Sequence, residues 1–340
     1  MNSFHYKTRE ANGFTLVELM VAVTIGLFLL AGVIRIFMGQ KATYQITTGL
    51  ARVQENGRFA LDMLTRDLRM ADYWGCLNGL TKIINNLNPA GVGYDADLHG
   101  FPLGLEGVDG GVGGNDSVTM RGVLDDLGLT VQAPYGPQAS SNIFVNNNNE
   151  IFQGEVLLIS DCLQGDIFQV SNANPGSTGT LVHNTGNVTQ PSNYNPSNPG
   201  CPGANAHCLS KVYEGDAQVY GVVVITYFVA PGESGEPALF RSRNGVVDEL
   251  VEGVESLQFL YGEDTDGDGV ANRWLIASGV NMNNVTAMRI AMLMRTPEEV
   301  DIQKNSRTYQ VADQLVDPVD DRRARRIFST TVELRNRGLK

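Results

Sequence analysis

Three carboxylates at alternate positions, Asp264, Asp266 and Asp268 in "EDTDGDGVANRW", have the spacing of a cation site. Together with Gly269 and Asn272 they match positions 1, 3, 5, 6 and 9 of a calcium loop, where oxygens converge on a hard cation and glycine allows the sharp turn. The backbone carbonyl of Val270 stands at position 7. Position 12 is Leu275 rather than glutamate, so the bidentate ligand has to come from elsewhere, with Glu263 one candidate, or the site is weak. The alternative is a solvated Asp-Gly turn joining two strands. Three acids at this spacing repel one another without a cation, and calcium is the favoured reading.

A second acid stands where acids are rare. In "GFTLVELMVAVTIGLFLLAGVI", Gly13 to Ile34, Glu18 is the single charge. Phe14 to Ile34 makes roughly 31 Å of helix, the thickness of a hydrocarbon core. A carboxylate there costs on the order of 2 to 3 kcal/mol on insertion scales and is normally retained for a partner. The leader "MNSFHYKTREANG" carries Lys7 and Arg9 against Glu10, and such a flank stays cytoplasmic, so the rest of the chain faces outward. A secretory signal has its cleavage site after the apolar run. Here the accessible glycine precedes the run, and cutting between Gly13 and Phe14 leaves the span in place.

"GFTLVELMVA" closely resembles the class III signal of type IV prepilins and pseudopilins. The resemblance implies cleavage by an inner-membrane prepilin peptidase after Gly13, N-methylation of Phe14, and a mature chain with Glu18 near its start. Cleavage would then create the partner that the acid needs, the new α-amine of Phe14. In a filament, the resemblance implies, Glu18 pairs with that amine on a neighbouring subunit and sets the axial register. The alternative is a plain signal anchor with a snorkelling glutamate.

These residues need elements to hold them. The apolar run breaks at Arg35, yet no proline occurs before Pro89, which allows one helix to continue beyond the bilayer. Val53, Ala60, Leu64, Leu68 and Ala71 form one stripe, while Arg58, Asp62, Arg66, Asp67 and Arg69 occupy other faces. The pattern predicts a helix over residues 14–72, with Gly49 and Gly57 as bending points and its second half packed on a sheet. Strands are predicted at 117–122, 155–162, 166–171, 219–230, 238–242, 253–262, 285–295 and 326–335. In the seventh of these, Met288, Ile290, Met292 and Met294 share a face that should lie under the helix. The fold class is α+β: a leader (1–13), a helix (14–72) with its membrane span at 14–34, and a periplasmic β-rich domain (73–340), an antiparallel sheet with long loops.

Further stretches narrow the resemblance. "RDLRMADYWGC", "LLISDC", "DIFQV", "ELVEGVESLQFLYGEDTDGDG" and "DRRARRIFSTTVELRNR" look like the PilW group of type IV pilus minor pilins and are similar to the GspJ pseudopilins of type II secretion. This implies a non-enzymatic subunit near the filament tip, in a priming complex with other minor and major pilins. A rival reading makes it a tip adhesin, with the Asn/Gly/Pro-rich residues 172–207 as its binding face.

Four cysteines, Cys76, Cys162, Cys201 and Cys208, allow three pairings in an exported chain. Cys201 with Cys208 would close a short loop, and Cys76 with Cys162 would tie the helix end to the sheet; buried thiols are the alternative. Zinc on Cys201, His207 and Cys208 lacks a fourth ligand. The net charge of −12 and pI near 4.8 disfavour nucleic acid as a partner. The basic end, Arg322, Arg323, Arg325, Arg326, Arg335, Arg337 and Lys340, is the one local exception for DNA contact, against a solubilised edge strand or a surface for an acidic neighbouring pilin. No Walker loop, H-E-x-x-H or G-x-S-x-G occurs, and His5, His99, His183 and His207 are scattered. Neither an enzyme nor a small-molecule substrate is expected.

Overall fold

The computed structural model describes residues 13–111, 114–186, 189–194 and 207–337. Helix α1 runs unbroken from Leu16 to Leu68. Thr15 caps it: its hydroxyl accepts from the Glu18 amide at 3.3 Å, and the Glu18 carboxylate accepts from the Thr15 amide at 3.0 Å. This reciprocal box satisfies two otherwise orphaned donors and sets the first turn. The helix is shorter at both ends than residues 14–72, because Thr15 is extended and Asp72, at φ 61°, turns the chain out.

Sixteen strands follow among the described residues: β1 (Ile83–Asn85), β2 (Leu105–Val108), β3 (Ser117–Thr130), β4 (Ile143–Phe144), β5 (Val156–Ser160), β6 (Gly165–Gln169), β7 (Thr180–Leu181), β8 (Gln218–Pro231), β9 (Pro237–Arg243), β10 (Val246–Glu252), β11 (Val254–Glu263), β12 (Arg273–Leu275), β13 (Val285–Arg295), β14 (Tyr309–Val311), β15 (Gln314–Val316) and β16 (Arg325–Glu333). The first sheet has the order β1-β6-β5-β8-β3-β2, with β9 also on β8 and β10 on β9. Only β1 with β6 is parallel in it. The second sheet, β12-β11-β13-β16, is antiparallel throughout.

The long strand β8 shares one edge between two partners. Its residues 218–221 pair with β5 and 225–231 with β9. Between them Asn244 completes the ladder: its amide donates to the Val224 carbonyl at 2.9 Å and its side-chain oxygen accepts from the Val224 amide at 2.8 Å. Asn244 and Gly245, at φ 50° and 85°, form the two-residue turn between β9 and β10, the left-handed geometry that suits a right-twisted hairpin.

The stripe on α1 is buried as Val53, Gly57, Ala60, Leu64 and Leu68, and it shares one core with Met288, Ile290, Met292 and Met294 of β13. Full burial of a side chain such as Leu64 contributes about 1.5 to 3 kcal/mol. The opposite face of β13 places Ala291 and Leu293 against Val311 of the β14–β15 hairpin. Gly57 does not break the helix; it admits the ring of Phe328 from β16. The eight expected strands are present, the first extended to Thr130. The edge strand β10 and the short strands β1, β2, β4, β7, β12, β14 and β15 were not anticipated, being too short or too exposed to show a period of two.

Candidate functional site

The first half of α1 is long and apolar enough to cross a membrane, and none of that stretch is buried within the protein. Phe14, Leu16, Val17, Leu19 and Met20 are all more than half exposed. Glu18 lies in the first turn, its carboxylate also accepting from the Thr15 hydroxyl at 2.9 Å. With Gly13 still attached, the nitrogen of Phe14 is an amide rather than an amine, and the acid closes the helix cap instead of an ion pair. Cleavage after Gly13 would replace that amide with a cation beside the cap.

The aspartate loop joins β11 to β12. Single carboxylate oxygens of Asp264, Asp266 and Asp268 lie within 4.8 Å of one another. Asp264 accepts from the amides of Gly269 (2.9 Å), Gly267 (2.7 Å) and Asp266 (3.3 Å), and its carboxyl sits below the usual range, chiefly through the Gly269 amide. Asp268 accepts from the Val270 amide at 2.8 Å. The other candidates point to different partners. The Asn272 side-chain oxygen accepts from the Thr265 amide and hydroxyl at 3.2 and 2.9 Å. Glu263 is buried, paired to Arg273 at 2.5 Å and accepting from the Asn281 amide at 3.2 Å. Of the two alternatives for position 12, Glu263 as ligand or a weak site, the first meets competition: the Glu263 oxygens serve Arg273 and Asn281.

Cys76 and Cys162 form a disulfide with their Cα atoms 5.0 Å apart, joining the chain just past α1 to the β5–β6 turn. Cys208 is buried and disulfide-bonded, while Cys201 lies outside the described residues. A disulfide sulfur cannot serve zinc as a thiolate. The scattered histidines resolve differently. His183 and His207 are both buried, with Nδ1 atoms 2.7 Å apart, a pairing that no local spacing announces.

Part of the basic end is consumed internally. Arg325, whose side chain has no exposure, pairs with Glu255 at 2.7 Å and Asp321 at 2.6 Å. Arg323 pairs with Glu236 at 2.7 Å, and Arg337 with Asp72 at 2.9 Å. These three cations neutralise acids of the same chain and are not free for a phosphate backbone, whereas Arg322, Arg326 and Arg335 are exposed and Lys340 lies outside the described residues. A cleft of about 580 Å³ between α1 and the first sheet holds Asp67, which accepts from the Tyr227 hydroxyl at 2.7 Å and lies 3.9 Å from Arg241. That arrangement is structural ion pairing rather than an acid–base constellation.

Residues 226–336 match the family described as type IV pilus-assembly protein W, and residues 8–34 match the prokaryotic N-terminal methylation motif. No curated protein and no solved structure matches the chain. The first match covers β9 to β16, including the whole second sheet, and the second covers Gly13, Phe14, Glu18 and the apolar half of α1. Both families are pilus structural or assembly components and not enzymes. A prepilin-type amino terminus and a segment similar to type IV pilus-assembly protein W thus make this chain type IV pilin-like.

Proposed function

We propose that this chain is a minor pilin, a structural and priming subunit of a type IV pilus. In this reading prepilin peptidase cuts after Gly13, Phe14 is methylated, and the subunit waits in the inner membrane with its β domain in the periplasm before entering the filament. The observation that carries the reading is the division of α1. Its first half presents a continuous apolar surface, while its second half is locked by Val53, Ala60, Leu64 and Leu68 into the β domain. One half is available to lipid and then to neighbouring helices, and the other holds the folded domain. Glu18, whose carboxylate can accept more than its Thr15 cap contacts, pairs with a neighbour's terminus, since two charges in low dielectric reject a misaligned register.

Within the same reading, the convergence of Asp264, Asp266 and Asp268 supports a calcium ion on the β11–β12 loop, held by these carboxylates and the Val270 carbonyl.

Mass spectrometry of the mature amino terminus, with pilus counts for wild type and Glu18→Ala, tests the proposal. A methylated Phe14 terminus and loss of pili in the variant are expected. An intact Met1, or a chain lacking the apolar segment, overturns it. Loss of protein secretion with normal pili on deletion assigns the chain to a type II secretion pseudopilus instead. Loss of adhesion with normal pili on removing residues 172–207 favours the adhesin.

A further inference from the structure

We propose that the His183–His207 pair is a proton-sensitive clamp that keeps one lobe of the β domain closed while both rings are neutral and releases it on acidification. This goes beyond the pilin reading and does not depend on it. The two rings meet edge to face, with centroids 4.9 Å apart, and are 2% and 3% exposed.

Their protons follow from the hydrogen bonds. His183 Nε2 is 3.0 Å from the Ser141 carbonyl oxygen, which can only accept, so Nε2 carries the proton. A neutral imidazole has a single N–H, so His183 Nδ1 is a bare acceptor. His207 Nδ1, at 2.7 Å, must therefore donate, which leaves His207 Nε2 unprotonated, and this buried atom has no hydrogen-bond partner among the described residues. Neither ring has room for a second proton. On His183 it would set N–H against N–H across the pair. On His207 it would place a charge on an atom without an acceptor. Burial holds both rings below the ordinary histidine range, His207 down to about 3 with His183 as the second cause.

The charged surroundings do not reverse this. Asp166 of β6 faces His183 and by itself would favour protonation. Its oxygens are already engaged by the Asn86 side chain (2.8 Å), the Ser210 amide (3.1 Å), the Ser210 hydroxyl and the Tyr213 hydroxyl (2.6 Å). Burial and Asp166 push the Tyr213 hydroxyl far up, so it remains a donor. Asp161 and Lys211 pair with each other. Phe168 of β6 covers His183 at 5.6 Å.

The pair joins three segments. Ser141 precedes β4, His183 follows β7, and β4 pairs with β7 through Ile143 and Leu181. His207 opens the return to β8, where the Leu209 amide donates to the Ala139 carbonyl at 3.1 Å. Ile143, Phe168, Leu181, Leu209 and Tyr213 share an apolar cluster separate from the one under α1. The lobe can therefore open while the helix stays packed.

The folded-state values are depressed, so the open state binds more protons. Closure is complete above about 6.5 and is lost as pH falls, by about tenfold per unit for each ring and about 100-fold from pH 6.5 to 4.5 for one ring. Hydrogen exchange of the full-length protein in detergent micelles, corrected for intrinsic rates, tests this. With both rings contributing, amides of Ile143, Leu181 and Leu209 are expected to lose protection on the order of 10⁴-fold over that range, while Ile290 and Met292 keep theirs. In His183→Gln or His207→Gln the dependence should fall to about the 100-fold of the remaining ring, and in the double variant below about threefold. A pH-independent lobe, or the full wild-type dependence retained in either single variant, overturns the proposal. Should neither variant fold, ¹⁵N histidine spectra of the wild type decide. One ring protonated at Nε2 and one at Nδ1, both neutral at pH 5, is the expected result; titration of all four histidines near 6.5 refutes it.

Discussion

The ring of Phe328 on β16 occupies the space where Gly57 of α1 would carry a Cβ: that atom would lie 2.5 to 2.7 Å from three ring carbons. The sheet thus reaches the helix axis here through a position that lacks a side chain. Gly57→Ala gains at most about 1 kcal/mol in helix propensity but forces an overpacked contact costing about 1 to 3 kcal/mol, so a net loss of thermal stability is expected. In a Phe328→Leu background the same substitution should cost less, with a coupling of at least about 0.5 kcal/mol by double-mutant cycle. Additivity within error would show that the ring does not gate the approach.

Three strands and a loop converge on Arg325. Its guanidinium is shared between Glu255 of β11 and Asp321, and Glu255 also takes Arg295 of β13 at 3.1 Å. Arg325→Ala leaves Glu255 with Arg295 and Asp321 with Arg323 at 3.6 Å, so the loss in urea unfolding is expected to be that of the charged hydrogen bonds removed, about 1.5 to 3 kcal/mol. Burial alone would raise the Asp321 carboxyl, but Arg325 and Arg323 together outweigh it and the net shift is downward. A depressed folded value means that the contribution is present above about 3.8 and fades as pH falls through the lower, folded value. Acidification below pH 4 should therefore destabilise wild type more than Asp321→Asn. That window lies well below the one set by the histidine pair.

Asn244 is expected to separate two effects by two substitutions. Asn244→Gly keeps the left-handed turn but removes the acceptor for the Val224 amide, costing about 1 to 3 kcal/mol. Asn244→Ala adds the strain of an alanine at positive φ, about 1 kcal/mol more. Equal melting temperatures for the two variants would mean that the turn geometry carries no cost.

For the aspartate loop, calcium addition should raise the melting temperature by an amount set by ligand concentration over dissociation constant, and Asp266→Ala should abolish the difference. An unchanged wild-type transition at millimolar calcium would leave only the self-satisfied turn that Asp264 makes with Gly267 and Gly269.

Much of this protein is written locally. A 3.6-residue stripe can be recognised along the chain, so Val53, Ala60, Leu64 and Leu68 were readable as the packed face of α1, and the alternation through Met288 to Met294 as the strand beneath it. The glycine, phenylalanine and glutamate of the amino terminus are likewise a contiguous signal. What depends on contacts between distant segments was not legible. Gly57 read as a bend because the residue that fills its gap lies 271 positions away. Glu263 read as a metal ligand because Asn281, one of its partners, reaches it only after β12 folds back. The basic run read as a free surface because its acids come from other strands. Sequence alone determined which residues prefer burial and with what period, since those are properties of neighbours along the backbone. Only the tertiary structure decided which buried polar atoms face one another, because hydrogen bonds and ion pairs act over about 3 Å in space regardless of separation in the chain.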